Sequence, residues 1–107
     1  MDKEYKLRYL PTFYEDIYEK VSYISDVLKN PSAANGLIDA VEAAILNRLP
    51  VCESFATYPS SKNREHPYYR IYVKKYIVFY VVIDDGNTKT MEVRRFLYNG
   101  QNRDSII

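Results

Sequence analysis

The sequence predicts an α+β fold in the order β-α-α-β-β-β: an N-terminal strand and a helical hairpin packed on a twisted, mainly antiparallel β-sheet. Three observations carry the prediction. Residues 69–98, YRIYVKKYIVFYVVIDDGNTKTMEVRRFLY, hold three β-rich runs divided by two short polar breaks. Ahead of them, two apolar stripes at helical spacing meet across Asn30-Pro31-Ser32. Ahead of those, Tyr5-Lys6-Leu7-Arg8-Tyr9-Leu10 alternates as a half-buried strand does.

Each element has its own signal. Pro11 and Thr12 end the first strand, and Thr12 with Glu15 reads as a T-x-x-E capping box for a helix. Phe13, Ile17, Val21, Ile24 and Leu28 form that helix's apolar stripe. Asn30-Pro31 breaks it, and Ser32 can cap the next helix, whose stripe is Ala33, Leu37, Val41, Ala44, Ile45 and Leu49. So short a turn makes the two helices antiparallel. Residues 51–67 show little periodicity, and YPSSKNREHP, residues 58–67, reads as a polar loop. Residues 69–73 place Tyr69, Ile71 and Val73 on one face and Arg70, Tyr72 and Lys74 on the other. Lys74-Lys75 reverses the chain into residues 76–83, apolar or aromatic at every position, as in a strand covered on both faces. Asp84-Asp85-Gly86-Asn87 is a turn. In the last run Met91 and Val93 point to the core, so strict alternation drives Arg95 inward. A lone charge there is costly, which predicts either a bulge near Arg94-Arg95 or a place for Arg95 at the sheet's rim. The first strand is left to add at an edge or beside the last strand. The sheet face away from the helices, or its rim, is expected to stay open. Ile106 and Ile107 are candidates to dock on the sheet.

Composition narrows the class. With 107 residues, 47% apolar and 27% charged, residues 1–107 are expected to form a single domain. One cysteine permits no intrachain disulfide, and no apolar run reaches the length of a membrane span. A soluble, cytoplasmic protein is the expectation. Net charge is +1, yet residues 1–59 carry −3 and residues 60–107 carry +4. A basic, strand-built half is compatible with a polyanion and equally with ordinary surface charge. The twelve tyrosines are compatible with core packing and with base stacking.

The chemistry-bearing residues are few. One His, one Cys and no spaced ligand set predict no metal, and the lack of a glycine-rich phosphate loop predicts no nucleotide cofactor. Cys52, beside the end of the second helix, reads as a buried thiol rather than as a nucleophile paired with His66. What remains is Arg70, Arg94, Arg95, Tyr98 and Arg103, with Lys62, Arg64 and His66 from the loop. RNA cleavage needs a base for the 2′-OH, an acid for the leaving oxygen and cations for the phosphate. Arginine, tyrosine and histidine can supply these without a metal. A basic, tyrosine-lined rim that only binds is as compatible with the residues.

The ordered set YKLRYL, helical hairpin, loop into YYRIYV, YIVFYVVIDD and EVRRFLYNGQNRD resembles the RelE/ParE superfamily of bacterial type II toxins over nearly the whole chain. The resemblance implies a RelE/ParE-like toxin domain of the plasmid-stabilisation type, held inactive by a cognate antitoxin whose C-terminal segment wraps it. It also implies one of two activities, ribosome-dependent mRNA cleavage (an mRNA interferase) or inhibition of DNA gyrase. On that basis Arg70 and Arg95 are the expected phosphate clamp and Tyr98, where a histidine often stands, the expected proton-transfer group. Lys62, Arg64, His66, Arg94 and Arg103 are then expected to position RNA on the ribosome. Where members commonly read tyrosine-arginine on the central strand, Tyr76 is followed here by Ile77. The grouping of Arg94, Arg95 and Tyr98 favours the endoribonuclease, with gyrase inhibition or an inactive relative as alternatives.

Overall fold

A computed structural model of the chain describes residues 4–59, 65–101 and 106–107. Its elements are β1 (Tyr5–Tyr9), α1 (Pro11–Ser22), a π turn (Tyr23–Val27), α2 (Pro31–Arg48), a 3-10 turn (Leu49–Val51), β2 (Tyr69–Val73), β3 (Tyr76–Asp84) and β4 (Lys89–Tyr98). The four strands form one sheet in the order β1-β4-β3-β2. β2-β3-β4 is an antiparallel meander, and β1 lies parallel to β4 at the edge. The strand-hairpin-sheet order is as the sequence predicts.

The two helices are started by different residues from those expected. Pro11 occupies the first turn of α1, and its N-cap Leu10 makes no side-chain cap. The hydroxyl of Thr12 instead donates to the Arg94 carbonyl at 2.9 Å, because the helix begins two residues earlier than the capping box requires. Asn30, not Ser32, caps α2 by accepting from the Ala33 amide at 3.1 Å, with Pro31 in the first turn. The first stripe also stops early. The chain widens into the π turn at Tyr23, where the Leu28 amide reaches the Tyr23 carbonyl, and Val27 and Leu28 end exposed. In α2 the buried residues are Ala34, Leu37, Val41 and Ile45, while Ala33 faces solvent.

The sheet has a core on each face. On the helix side, Phe13, Leu37, Val41 and Ile45 pack on Ile71, Val73, Val78, Tyr80, Met91, Val93 and Phe96. Truncating Phe96 there costs about 3–5 kcal/mol. On the outer side Ile77, Phe79, Val81 and Leu97 are closed over by Tyr58, Tyr68 and Ile107. Among the described residues, that face is open at its rim, where Tyr72 is exposed. Covering from both sides is why β3 is apolar or aromatic from Tyr76 to Ile83.

β4 contains a bulge. Phe79 pairs with Arg95 but Tyr80 pairs with Val93, which leaves Arg94 as the extra residue. The bulge restores Phe96 to the helix side after Val93 and keeps Arg95 out of the core. β1 ends opposite Val93, so beyond it β4 has a free edge. The first turns of α1 cover that edge. Thr12 takes the Arg94 carbonyl, and the Asp16 carboxylate accepts from the Phe96 amide at 3.0 Å.

Candidate functional site

The sequence singles out Arg70, Arg95 and Tyr98 as one cleft, and the structure places them apart. Arg70 on β2 pairs with Phe79 and so stands on the outer face. Its guanidinium lies 5.2 Å from the Tyr58 ring centre and 5.9 Å from that of Tyr72. Arg95 also pairs with Phe79, but its side chain turns around the free edge of β4 to α1. There Nε and Nη2 donate to the two Asp16 oxygens at 2.7 and 2.9 Å. This bidentate pair raises the Arg95 pKa, against a smaller effect of burial. Tyr98 pairs with Tyr76 on the opposite, helix-side face. Its ring meets Tyr76 edge-on at 5.8 Å and leaves no room for a Cβ at Gly100. The expected single cleft is corrected accordingly: alternation puts Arg70 and Tyr98 on opposite faces, and a carboxylate already holds Arg95.

The remaining candidates divide by element. Arg94, the bulge residue, lies over the Tyr68 ring at 5.9 Å, and its Nε donates to Glu92 at 2.7 Å. Burial opposes its charge, yet its bonds with Glu92 and Tyr68 prevail and raise its pKa. His66 has Nε2 3.8 Å from a Glu65 oxygen. Lys62, Arg64 and Arg103 lie outside the described residues. Arg70 and Arg94 do share a neighbourhood, because Tyr58 and Tyr68 both set their rings edge-on to Phe79.

Sequence reasoning missed Glu92 as the centre of a charge cluster. It is 5% exposed and bridges Arg94 to Arg8 on β1, whose Nε donates at 2.8 Å. Burial pushes the Glu92 carboxyl up, but the two arginines outweigh it and hold the group below its ordinary value. The available signal was the register of a parallel β1, which sets Arg8 opposite Glu92. Cys52 is fully buried; burial, aided by the Glu53 carboxylate, pushes its thiol up to about 11, a poor nucleophile near neutral pH. Among the described residues, no three His, Cys, Asp or Glu side chains are placed to hold a metal ion. No helix among them is long and apolar enough to cross a membrane.

A second concave feature lies on the helical layer. A groove of about 680 Å³ runs between α1 and α2 above Tyr9 and Phe13, and Glu42 is its one charged lining residue.

No protein-family model matches the chain, and no curated protein matches it. Among solved structures, it is similar to a chain of the chromosomal ParDE TA system from P. aeruginosa, with a TM-score of 0.64 and 13% identity. The match covers 87% of this chain and 94% of that one. At that identity the likeness is one of fold.

Proposed function

We propose that this chain is a toxin of the RelE/ParE type that acts in the cytoplasm by binding a target protein, with DNA gyrase as the target and a cognate antitoxin as its inhibitor. The observation that carries the reading is the fate of Arg95. A guanidinium held by two bonds to Asp16 has lost the fork that would clasp a phosphate. Arg70 and Tyr98, on opposite faces, cannot act on one phosphodiester. A protein-binding inhibitor needs neither group. The similarity in fold to a ParDE system points the same way.

A second reading keeps RNA as the ligand. Arg70, Arg94 and the exposed Tyr72 stand on or beside the outer rim, the mixture of cations and rings that single-stranded RNA prefers. On that reading the protein is a ribosome-dependent endoribonuclease whose acid and base come from the outer rim, with His66 as one candidate.

Purified protein added to a gyrase supercoiling reaction and, separately, to a translating ribosome reaction decides between them. Supercoiling is expected to stop while mRNA stays intact. Discrete mRNA cuts that vanish in Arg70→Ala, with supercoiling unaffected, would overturn the binding reading.

A further inference from the structure

We infer that the outer rim around Arg70 is a docking surface for an acidic segment of a protein partner, and that the Arg70 guanidinium takes one Asp or Glu carboxylate of that segment. Among the described residues, the other arginines on the outer side of the sheet are already committed. Arg8 spends Nε and Nη2 on Glu92, and Arg94 spends Nε on the same carboxylate. Arg70 differs. Among the described residues its guanidinium has the rings of Tyr58 at 5.2 Å and Tyr72 at 5.9 Å beside it, and neither a hydrogen bond nor an ion pair. A ring attracts a cation through its face and uses none of the five N–H donors. The main chain below is fixed as well, because the Arg70 carbonyl accepts from Arg48 at 3.2 Å. The fork is therefore held in place and left open, so a carboxylate binds it at little ordering cost.

The surroundings select a protein over a nucleic acid. Single-stranded RNA is held by cations that track its backbone, and here one open fork stands where a row is needed. Glu92 adds a negative charge to the same face and occupies both of the neighbouring arginines. Arginine and tyrosine are residues in which protein interfaces concentrate their binding energy. Tyr72, 56% exposed and two residues from Arg70 on the same strand face, offers a large ring at the rim. Phe79, paired with Arg70 and fully buried, backs the site with hydrocarbon, which strengthens a charge pair formed against it. The segment that fits carries one carboxylate beside an apolar side chain that covers Tyr72.

The inference deepens the protein-binding reading and rests on it only for the partner's identity. Three probes are titrated into the intact, isotope-labelled protein at one salt concentration: a short capped peptide with glutamate between two leucines, its glutamine counterpart, and hexauridylate. NMR follows the Arg70 Nε–H and the Tyr72 amide. The glutamate peptide is expected to shift both signals and to bind at least about tenfold tighter than the glutamine peptide. Arg70→Lys keeps the charge and loses the fork, and is expected to weaken binding about 5- to 10-fold. Tyr72→Ser, at an exposed position, is expected to weaken it about 3- to 10-fold, and the spectrum of each variant reports whether the fold is intact. Equal binding of the two peptides, shifts confined to residues away from Arg70, or hexauridylate seated at Arg70 more tightly than the glutamate peptide overturns the inference, the last in favour of RNA. A glutamate peptide held at Arg70 by a protein that leaves supercoiling untouched keeps this surface and ends gyrase as the partner. Supercoiling arrested as fully by Arg70→Glu as by the unaltered protein keeps gyrase and overturns this surface.

Discussion

At the scale of the residue, Asp16 does more than any single cation. Its carboxylate closes the free edge of β4 at Phe96 and holds Arg95 in a pair whose side chains are 12% and 26% exposed. Asp16→Ala leaves a half-buried guanidinium and an edge amide without partners. A loss of about 2–3 kcal/mol is expected, read as a lower urea midpoint with an unchanged slope. The same variant frees the Arg95 fork. If cleavage activity appears in Asp16→Ala and is absent from the unaltered protein, the ion pair is what keeps the arginine from RNA. Cys52 makes a simpler case. Its burial and raised pKa predict no labelling by a thiol reagent in the folded protein and complete labelling in denaturant. Tyr80, pushed by burial up to about 12, donates to the Cys52 carbonyl at 2.8 Å and accepts from Arg48 at 3.0 Å. It ties the segment after α2 to the centre of the sheet.

At the scale of the element, two reversals use residues that backbone sterics disfavour. Lys29, between the π turn and α2, and Lys74, between β2 and β3, both have φ of 55°. An ordinary side chain in this left-handed region is strained where glycine is not. Lys74→Gly is expected to raise stability by about 1 kcal/mol, seen as a higher thermal midpoint, and Lys74→Val to lower it. The other tight connection is built from side-chain bonds. Asp85 accepts from the Asn87 and Thr88 amides and from the Thr88 hydroxyl, while Gly86 supplies the positive φ. The bulge at Arg94 belongs to this scale too. Without it, Phe96 and Leu97 would exchange faces and both cores would lose a large side chain.

At the scale of the molecule, charge holds the layers to each other. Glu92 joins β1 to β4 through Arg8 and Arg94. Glu53, in the segment after the 3-10 turn, is held below its ordinary value first by its bond from Lys89 and then by that from Tyr5. Both carboxyls titrate lower in the folded chain than in the unfolded one. Their contribution to stability is therefore full above the ordinary glutamate value of 4.5 and is lost as pH falls through the folded values. Unfolding followed from neutral pH downward should show stability falling below about pH 4.5, with Glu92→Gln giving a flatter acid limb. An unchanged limb in that variant would show that the Arg8–Glu92–Arg94 cluster contributes nothing to acid sensitivity.

The order of elements, the two-sided burial of β3, the turn at Asp85 and the need for an irregularity near Arg95 were all legible in the residues. Periodicity, turn chemistry and the cost of a buried charge are local properties, and they act before the chain has closed. The partners of Arg95 and Glu92, the separation of Arg70 from Tyr98 and the covering of the outer face were settled only by the tertiary structure. Each depends on residues dozens of positions away, brought near by the parallel pairing of β1 with β4 and by the seating of α1 on a free strand edge. Spacing along the chain shows which face a side chain starts from. Which opposite charge it meets there is set by packing between elements.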